Sequence, residues 1–524
     1  MGGVFEGRSI SVVRDLSPDE QWYLYSKTRE IKNSVKTGKD LEPYRMKDLD
    51  LAVYLTFLED STRTKESFRN AARFHRITVI GFDANSSSFN KKESLSDTIK
   101  MLVGYNHRTI FVLRTTQEGV VRHLENYIGD YARQNGIWVP SFINAGDGRH
   151  EHPTQEFLDE YTFLENLNWN RDEIHLAIVG DLFHGRTVHS KVEGLKIFKK
   201  VRVDLIAPQE LELPQHYENL MVENGFELRK FPDIDTYLQQ KDQARLFYFT
   251  RLQLERMGDK VRDKEMELHR AVSVRSEHYS LFKNDTKLFH PLPQNRIHPE
   301  IPEFYAETSL NGWDVQSQNG YFIRIALLGM CGGKFGEDFK GVPLSPVIQE
   351  SDYIHPVPVS TSVKKEDFKT GIKKISDGLV IDHIGIGSSI TEVWKLIDVI
   401  RRNLGLDYIS SHGVFAGSEG KHVKGIISIP GSFSLDTRHV KMLAALSPGC
   451  TVNTIVSNQV AEKTRLGVPP RIYNFSETLC RNENCVSNPE FHEPAKPEFL
   501  RSERSTFLCK YCEREHEYRE IWKI

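Results

Sequence analysis

The chain has 524 residues, 39% of them hydrophobic and 27% charged. At roughly 150 residues per domain that length implies several domains, each large enough to bury its own core. With 69 Lys and Arg against 72 Asp and Glu the net charge is −3, which weighs against a broad basic surface for nucleic acid or anionic lipid.

No apolar run reaches the roughly 18 residues of a spanning helix. The N-terminal MGGVFEGRSISVVRDL lacks the charged-then-apolar build of a secretory signal. A cytoplasmic protein is expected.

From about residue 50 to 290, β-rich runs alternate with amphipathic stretches. LAVYLTFL (51–58), ITVIGF (77–82), TIFVL (109–113), IWVPSFI (137–143), IHLAIVG (174–180), VRVDLI (201–206) and RLFYF (245–249) read as strands. Between the first two, TKESFRNAARFH puts Phe68, Ala72 and His75 on one helical face. This alternation predicts α/β architecture, with two doubly wound parallel-sheet domains side by side.

Four strand–helix junctions in this region carry polar chemistry. Ser61-Thr62-Arg63-Thr64 follows the first strand and opens a helix, whose unpaired N–H groups and positive dipole end suit a phosphate. A plain helix cap with a solvent-facing arginine explains the tetrapeptide equally well on its own. His152-Pro153-Thr154-Gln155 follows a turn made possible by Gly146 and Gly148, and His152 and Gln155 can both present donors to one oxygen. Gly180 to Arg186 repeats the scheme, and Thr250-Arg251-Leu252-Gln253 follows RLFYF. Two arginines at sheet ends suit a dicarboxylate, because guanidinium grips carboxylate as a fork.

Residues 341–362 hold four prolines and no periodicity, and read as an extended linker. Patterning then restarts. LVIDHI (379–384), VKGIISI (423–429) and TVNTIV (451–456) are expected strands, and ITEVWKLIDVIRRNLG an expected helix with Ile390, Val393, Trp394 and Ile397 at helical spacing. The domains expected are 1–160, completed by a helix at 315–340; 161–314; a linker at 341–365; a small α+β domain at 366–465; and a β-rich, ribbon-like domain at 466–524.

The last domain holds four of the six cysteines, Cys480, Cys485, Cys509 and Cys512, spaced C-x4-C and C-x2-C. Two close thiolate pairs match a closed tetrahedral Zn2+ site of the structural kind, one per chain. In so short and polar a segment, metal ligation is expected to supply much of the folding energy. Residues 471–524 carry nine Lys and Arg against ten Glu, a poor footprint for DNA, so docking onto protein is the expected role.

Taken together, these segments resemble aspartate carbamoyltransferase. The catalytic resemblance spans about 45–335, and its six motifs appear in the family's order. It implies transfer of the carbamoyl group of carbamoyl phosphate to L-aspartate, the committed step toward pyrimidines. By resemblance, Ser61, Thr62, Arg63, Thr64 and Arg114 bind the phosphate; Thr64, Arg114 and His152 the carbamoyl oxygen; and Gln155 its amide. Leu292 and Pro293 of HPLP contact the same ligand, while Arg186, Arg251 and Gln253 hold aspartate. A loop reading NSSSFNKKESLSDT resembles the one the family lends to a neighbouring subunit, with Ser87 or Ser88 as its serine and Lys91 or Lys92 as its lysine. That implies trimeric catalytic units.

The C-terminal half resembles the family's regulatory chain. Asp382, His383, Asn453, Ile455 and Lys463 match nucleotide-effector positions, and the four cysteines match its zinc domain. Ser428 stands where a second effector lysine is usual, Asn458 where a tyrosine is, and Gln294 where HPLP is commonly followed by arginine. The alternatives are an ornithine carbamoyltransferase, whose family typically has cysteine at the position of Pro291, and a non-catalytic regulatory or nucleic-acid-binding zinc protein. No membrane or nucleic-acid partner is expected.

Overall fold

A computed structural model describes residues 3–83, 93–253, 264–295, 297–344, 352–359, 372, 374–406, 410–416, 423–502 and 506–523. The chain forms two compact units, residues 1–345 with 482–495, and residues 346–481 with 496–524. Among the described residues no helix is long and apolar enough to cross a membrane.

The first unit contains two parallel sheets. One has the order β2-β1-β3-β4, built from β1 (Leu51–Phe57), β2 (Thr78–Asp83), β3 (Arg108–Thr115) and β4 (Ser141–Asp147). The other has the order β7-β6-β5-β8-β9, built from β5 (Glu173–Gly180), β6 (Lys200–Ile206), β7 (Glu227–Phe231), β8 (Leu246–Thr250) and β9 (Lys287–Phe289). Central strands such as β1 are buried along their whole length, hence their unbroken apolar runs. The crossover helix Thr62–His75 buries Phe68, Ala72 and His75, as its spacing requires. The helix Trp313–Cys331 packs on Thr62–His75, Pro153–Asn166 and Pro18–Lys36, so the end of this region returns to the first sheet.

Three strands of the first unit depart from the sequence reading: β4 is shifted, and β7 and the short β9 were not expected. β4 begins at Ser141, because Pro140 in IWVP has no N–H to give a ladder, and it continues through Asp147. β7, ELRKF, alternates no apolar residues. Its Arg229 instead forks onto buried Asp204 of β6 at 2.7 and 2.8 Å. Burial opposes the charge on Asp204, but hydrogen bonds from His175, Arg229 and Tyr237 hold its carboxyl down at about 2.

The second unit contains a six-stranded antiparallel sheet of order β10-β15-β14-β11-β13-β12. Its strands are β10 (Ile354–Pro356), β11 (Gly378–Ile384), β12 (Ser411–Ala416), β13 (Val423–Pro430), β14 (Thr451–Val456) and β15 (Gln459–Leu466). β10 lies in the proline-rich stretch and pairs with Leu466, Arg465 and Thr464. The helix Ile390–Leu404 starts on a Ser389–Glu392 capping box and packs on β13 and β12. Val393 and Ile397 are buried in it, whereas Ile390 and Trp394 are exposed. A small antiparallel sheet follows, β16 (Arg471–Tyr473), β17 (Glu498–Arg501), β18 (Phe507–Cys509) and β19 (Glu515–His516).

Candidate active site

Every polar junction found in the first unit lies at the C-terminal end of a parallel strand. Ser61–Thr64 follows β1, Arg114 closes β3, and His152 follows β4. Arg186 follows β5, Arg251 follows β8, and His290 follows β9. Parallel α/β sheets bind ligands at this edge, where helix N-termini and loop donors converge. Here they line one cavity of about 710 Å3, which includes Ser61, Thr62, Arg63, Thr64, Arg114, His152, Gln155, Arg186, Arg251, Gln253, Leu292 and Pro293. The loop residues Ser87, Ser88, Lys91 and Lys92 lie outside the described residues.

The arginines are held in place before any ligand arrives. Arg114 Nη1 donates to Ala145 O at 3.1 Å, and Arg186 Nη1 donates to Gly148 O at 2.8 Å. Both approach Glu59, at 3.5 Å from Arg114 Nε and 3.4 Å from Arg186 Nη1. Gly146, at φ +114°, makes this convergence possible. A Cβ there would stand 3.1 Å from both Arg114 Nη1 and Arg186 Cζ.

Gly180 plays a related part between the strands that carry Arg186 and Arg251. Its φ is +127°, and an added Cβ would meet Thr250 O at 2.3 Å, so β5 and β8 come this close only with glycine. Beyond β8, Leu252 N donates to buried Glu300, and Gln253 is fixed by its N–H to Asp181 and its Nε2 to His184 O.

His152 is buried at the head of the Pro153–Asn166 helix. Burial, then the charges of Arg114, Arg186 and Arg324, push its imidazole well below the usual histidine range. A neutral ring in that position can donate one hydrogen bond without adding to an already positive site. Gln155 Nε2 donates to Asp159 at 2.8 Å. Leu292, at φ +56°, precedes a cis bond to Pro293 and donates its N–H to His290 Nδ1 at 2.8 Å. Gln294 accepts from Ile301 N at 3.1 Å.

Sequence reading missed Glu59 and Arg324. Glu59 adjoins STRT but looks like any surface acid, and its meaning appears only when two arginines from distant strands reach it. Arg324 sits in the mostly apolar helix Trp313–Cys331, far in sequence from the other cavity motifs, and it borders the cavity while stacking over Phe68 at 5.1 Å. Burial lowers it to about 10.

In the second unit the residues expected to meet an effector fall on one patch of sheet. Lys463, Asn453, Val380 and Ser428 form a cross-strand row on β15, β14, β11 and β13. Asp382 lies two residues beyond Val380 and pairs with Lys424 at 3.0 Å, a lysine the sequence reading passed over. Lys424 also reaches His383 Nε2 at 3.4 Å, and Ile455 pairs opposite Gly378.

Cys480, Cys485, Cys509 and Cys512 are all buried, with sulfurs within 4.8 Å of one another. A tetrahedral Zn2+ with bonds of about 2.3 Å sets its sulfurs about 3.8 Å apart. The Cys480–Cys512 pair stands at 3.6 Å, so the set fits a closed structural Zn2+ site. The loop 482–495 packs inside the first unit. Glu118 N donates to Asn484 O at 2.8 Å, Val486 N to Glu118 O at 2.9 Å, and Asn482 Nδ2 to the Glu118 carboxylate at 2.6 Å. Glu493 accepts from Leu95 N at 2.6 Å and Ser96 N at 3.1 Å, which caps the Leu95–Leu102 helix.

Four family models match the chain. Residues 8–165 match the carbamoyl-P binding domain of aspartate/ornithine carbamoyltransferase, and 172–331 its Asp/Orn binding domain. Residues 370–467 match the allosteric domain of the aspartate carbamoyltransferase regulatory chain, and 470–522 its metal binding domain. Protein PyrBI of Thermotoga maritima is 50% identical over 99% of both chains. Protein PyrBI of Treponema denticola is 45% identical over 100% of this chain and 99% of its own. Among solved structures, aspartate transcarbamoylase of Trypanosoma cruzi in complex with N-(phosphonacetyl)-L-aspartic acid is 27% identical. It superposes with a TM-score of 0.54, covering 62% of this chain and 96% of that one.

Proposed function

Because the chain belongs to the aspartate carbamoyltransferases, as a catalytic chain with a regulatory chain fused behind it, we propose that the 710 Å3 cavity is where carbamoyl phosphate and L-aspartate meet. The enzyme transfers the carbamoyl group to the amine of aspartate and releases phosphate and N-carbamoyl-L-aspartate. The observation that carries the site assignment is the convergence of Arg114 and Arg186 on a single carboxylate, Glu59. Two guanidiniums that meet one side-chain carboxylate can grip incoming anions in the same way.

In this reading Ser61, Thr62, Arg63 and Thr64 hold the phosphate at the N-terminus of the Thr62–His75 helix. Arg114 spans phosphate and carbamoyl oxygen. Thr64 and neutral His152 also donate to that oxygen, whose negative charge grows as the amine attacks. Gln155 takes the carbamoyl amino group, against a wall made by Leu292 and Pro293. Arg186, Arg251 and Gln253 hold the two carboxylates of aspartate, with the lysine of the neighbouring loop, Lys91 or Lys92, beside them. No side chain forms a covalent bond. Two substrates in line, with donors already placed, supply the acceleration.

Arg186→Lys tests the aspartate half. Lysine keeps the charge but loses the fork. The Michaelis constant for aspartate is expected to rise about tenfold or more, while that for carbamoyl phosphate moves less than about twofold. Equal changes in both constants contradict the assignment.

The loop containing Ser87, Ser88, Lys91 and Lys92 completes the site of a neighbouring subunit, so the working enzyme is an oligomer of trimeric catalytic units. Full activity in a sedimenting monomer overturns this. The row Lys463–Asn453–Val380–Ser428, with Asp382, His383, Ile455 and Lys424, takes a nucleotide effector. Lysines 463 and 424 are its phosphate partners. Aspartate saturation curves that superimpose with and without ATP, CTP and UTP overturn that reading and leave the catalytic one intact.

A further inference from the structure

Beneath the cavity lies a buried charged cluster that substrate binding does not use directly. Lys191 is fully buried and donates to Glu156 at 2.8 Å and to Asp159 Oδ2 at 3.1 Å, with its ammonium 4.0 Å from the ring centre of Tyr248. The other oxygen of Asp159 accepts from Gln155 Nε2 at 2.8 Å and from Gln316 Nε2 at 2.6 Å. Gln316 in turn accepts the N–H of His290 on its Oε1 at 2.9 Å. Asp159, Glu156 and Lys191 are 0% exposed, so water cannot substitute for any of these partners.

The cluster joins the three segments that wall the carbamoyl end of the site. Asp159 lies on the helix that begins Pro153-Thr154-Gln155, Lys191 follows the Arg186–His189 turn, and Gln316 grips the residue that opens HPLP. Charge on Lys191 is opposed by burial, yet Asp159 and Glu156 raise its pKa above the ordinary lysine value. Burial raises Glu156 and Glu160.

We propose that Asp159 is a positioning residue that fixes the Gln155 amide as an acceptor toward the carbamoyl amino group, and so makes the site prefer a carbamoyl over a methyl-bearing acyl phosphate. The inference rests on reading the cavity as the carbamoyl phosphate site. A glutamine amide has a donor end and an acceptor end. Asp159 accepts at both oxygens, because ammonium on Oδ2 and two amide NH2 groups on Oδ1 leave no room for a donor. Gln155 must therefore turn Nε2 inward, and Oε1 is left as the end that meets ligand. Gln316 is oriented consistently at both ends, with NH2 on Asp159 and oxygen on a backbone N–H.

Asp159→Asn tests this. Lys191 offers only donors, so the new side chain turns its oxygen toward Lys191 and its NH2 toward the two glutamines. Gln155 then meets a donor and turns its oxygen inward. The probes are carbamoyl phosphate and acetyl phosphate, in which a methyl replaces the amino group. The kcat/KM for carbamoyl phosphate is expected to fall about tenfold or more, while the inhibition constant of acetyl phosphate changes less than about twofold. If the variant does not assemble, Asp159→Leu with Lys191→Met and Glu156→Gln removes the acceptor, the ammonium and its second carboxylate together, and is expected to give the same selective loss. Parallel loss for both acyl phosphates marks a scaffold role and overturns the proposal, as does an unchanged ratio. Wild-type enzyme with no carbamoyl transfer at all defeats the functional reading instead.

Discussion

Replacing Arg114 with alanine is expected to lower kcat/KM by a factor of about 100 to 1,000, the range for one preplaced donor to a developing oxyanion. Arg114 closes β3 and its side chain is 11% exposed, so solvent screens it little. Its orientation is set by the Ala145 carbonyl and by the space that Gly146 leaves. The alanine variant keeps β3, whose core residues Ile110, Phe111, Val112 and Leu113 are buried independently of position 114. Thermal stability is therefore expected to change little, and the loss to fall on kcat, because in the proposed role the contact strengthens as charge moves onto the carbamoyl oxygen. Steady-state kinetics at saturating aspartate check this. A variant within twofold of wild type removes Arg114 from the catalytic role.

Cys485→Ser is expected to abolish zinc retention and to unfold the sheet β16–β19. That sheet is only two to four residues long in each strand, and its apolar core is small. Structural Zn2+ contributes apparent binding energies of about 10 to 16 kcal/mol in small domains of this type, more than so little apolar surface can replace. Cys485 is fully buried, and Asn488 N donates to its carbonyl at 2.8 Å. Loss of the ligand also frees the neighbouring Asn482, Asn484 and Val486 from Glu118. Metal content by elemental analysis should fall from one zinc per chain to none, and limited proteolysis should then cut within 470–524. Full zinc content with an unchanged digest contradicts the four-cysteine site.

How much of this was legible in the sequence depends on whether a feature is local. Strand runs such as LAVYLTF and EIHLAIVG announce buried parallel strands, because a strand covered on both faces has no polar alternation to hide it. STRT, HPTQ and the cysteine pairs are equally local, since a helix start or a metal turn fixes its residues within a few positions. β7 was not legible, because the partners of its charges lie on β6. Asp159 and Lys191 were not legible either. SKVEG reads as an ordinary polar helix start, and only the packing of Lys191 beneath Tyr248 and Glu156 removes it from water. Glu59, Arg324 and Lys424 share that character, each defined by groups far away in the chain.

The C-terminal half divides in the same way. The capping box at Ser389 and the alternation in VKGIISI place the helix and strands, whereas β10 lies in a stretch whose prolines suggest no pairing. Ile354–Pro356 pairs at the sheet edge, where proline is tolerated because, among the described residues, one side of the ladder faces no partner strand.

Product analysis with carbamoyl phosphate and two competing acceptors, L-aspartate and L-ornithine, distinguishes an aspartate from an ornithine carbamoyltransferase. N-carbamoyl-L-aspartate and phosphate are expected in equal amounts, with no citrulline. Citrulline formed from ornithine, with aspartate left untouched, contradicts the aspartate assignment.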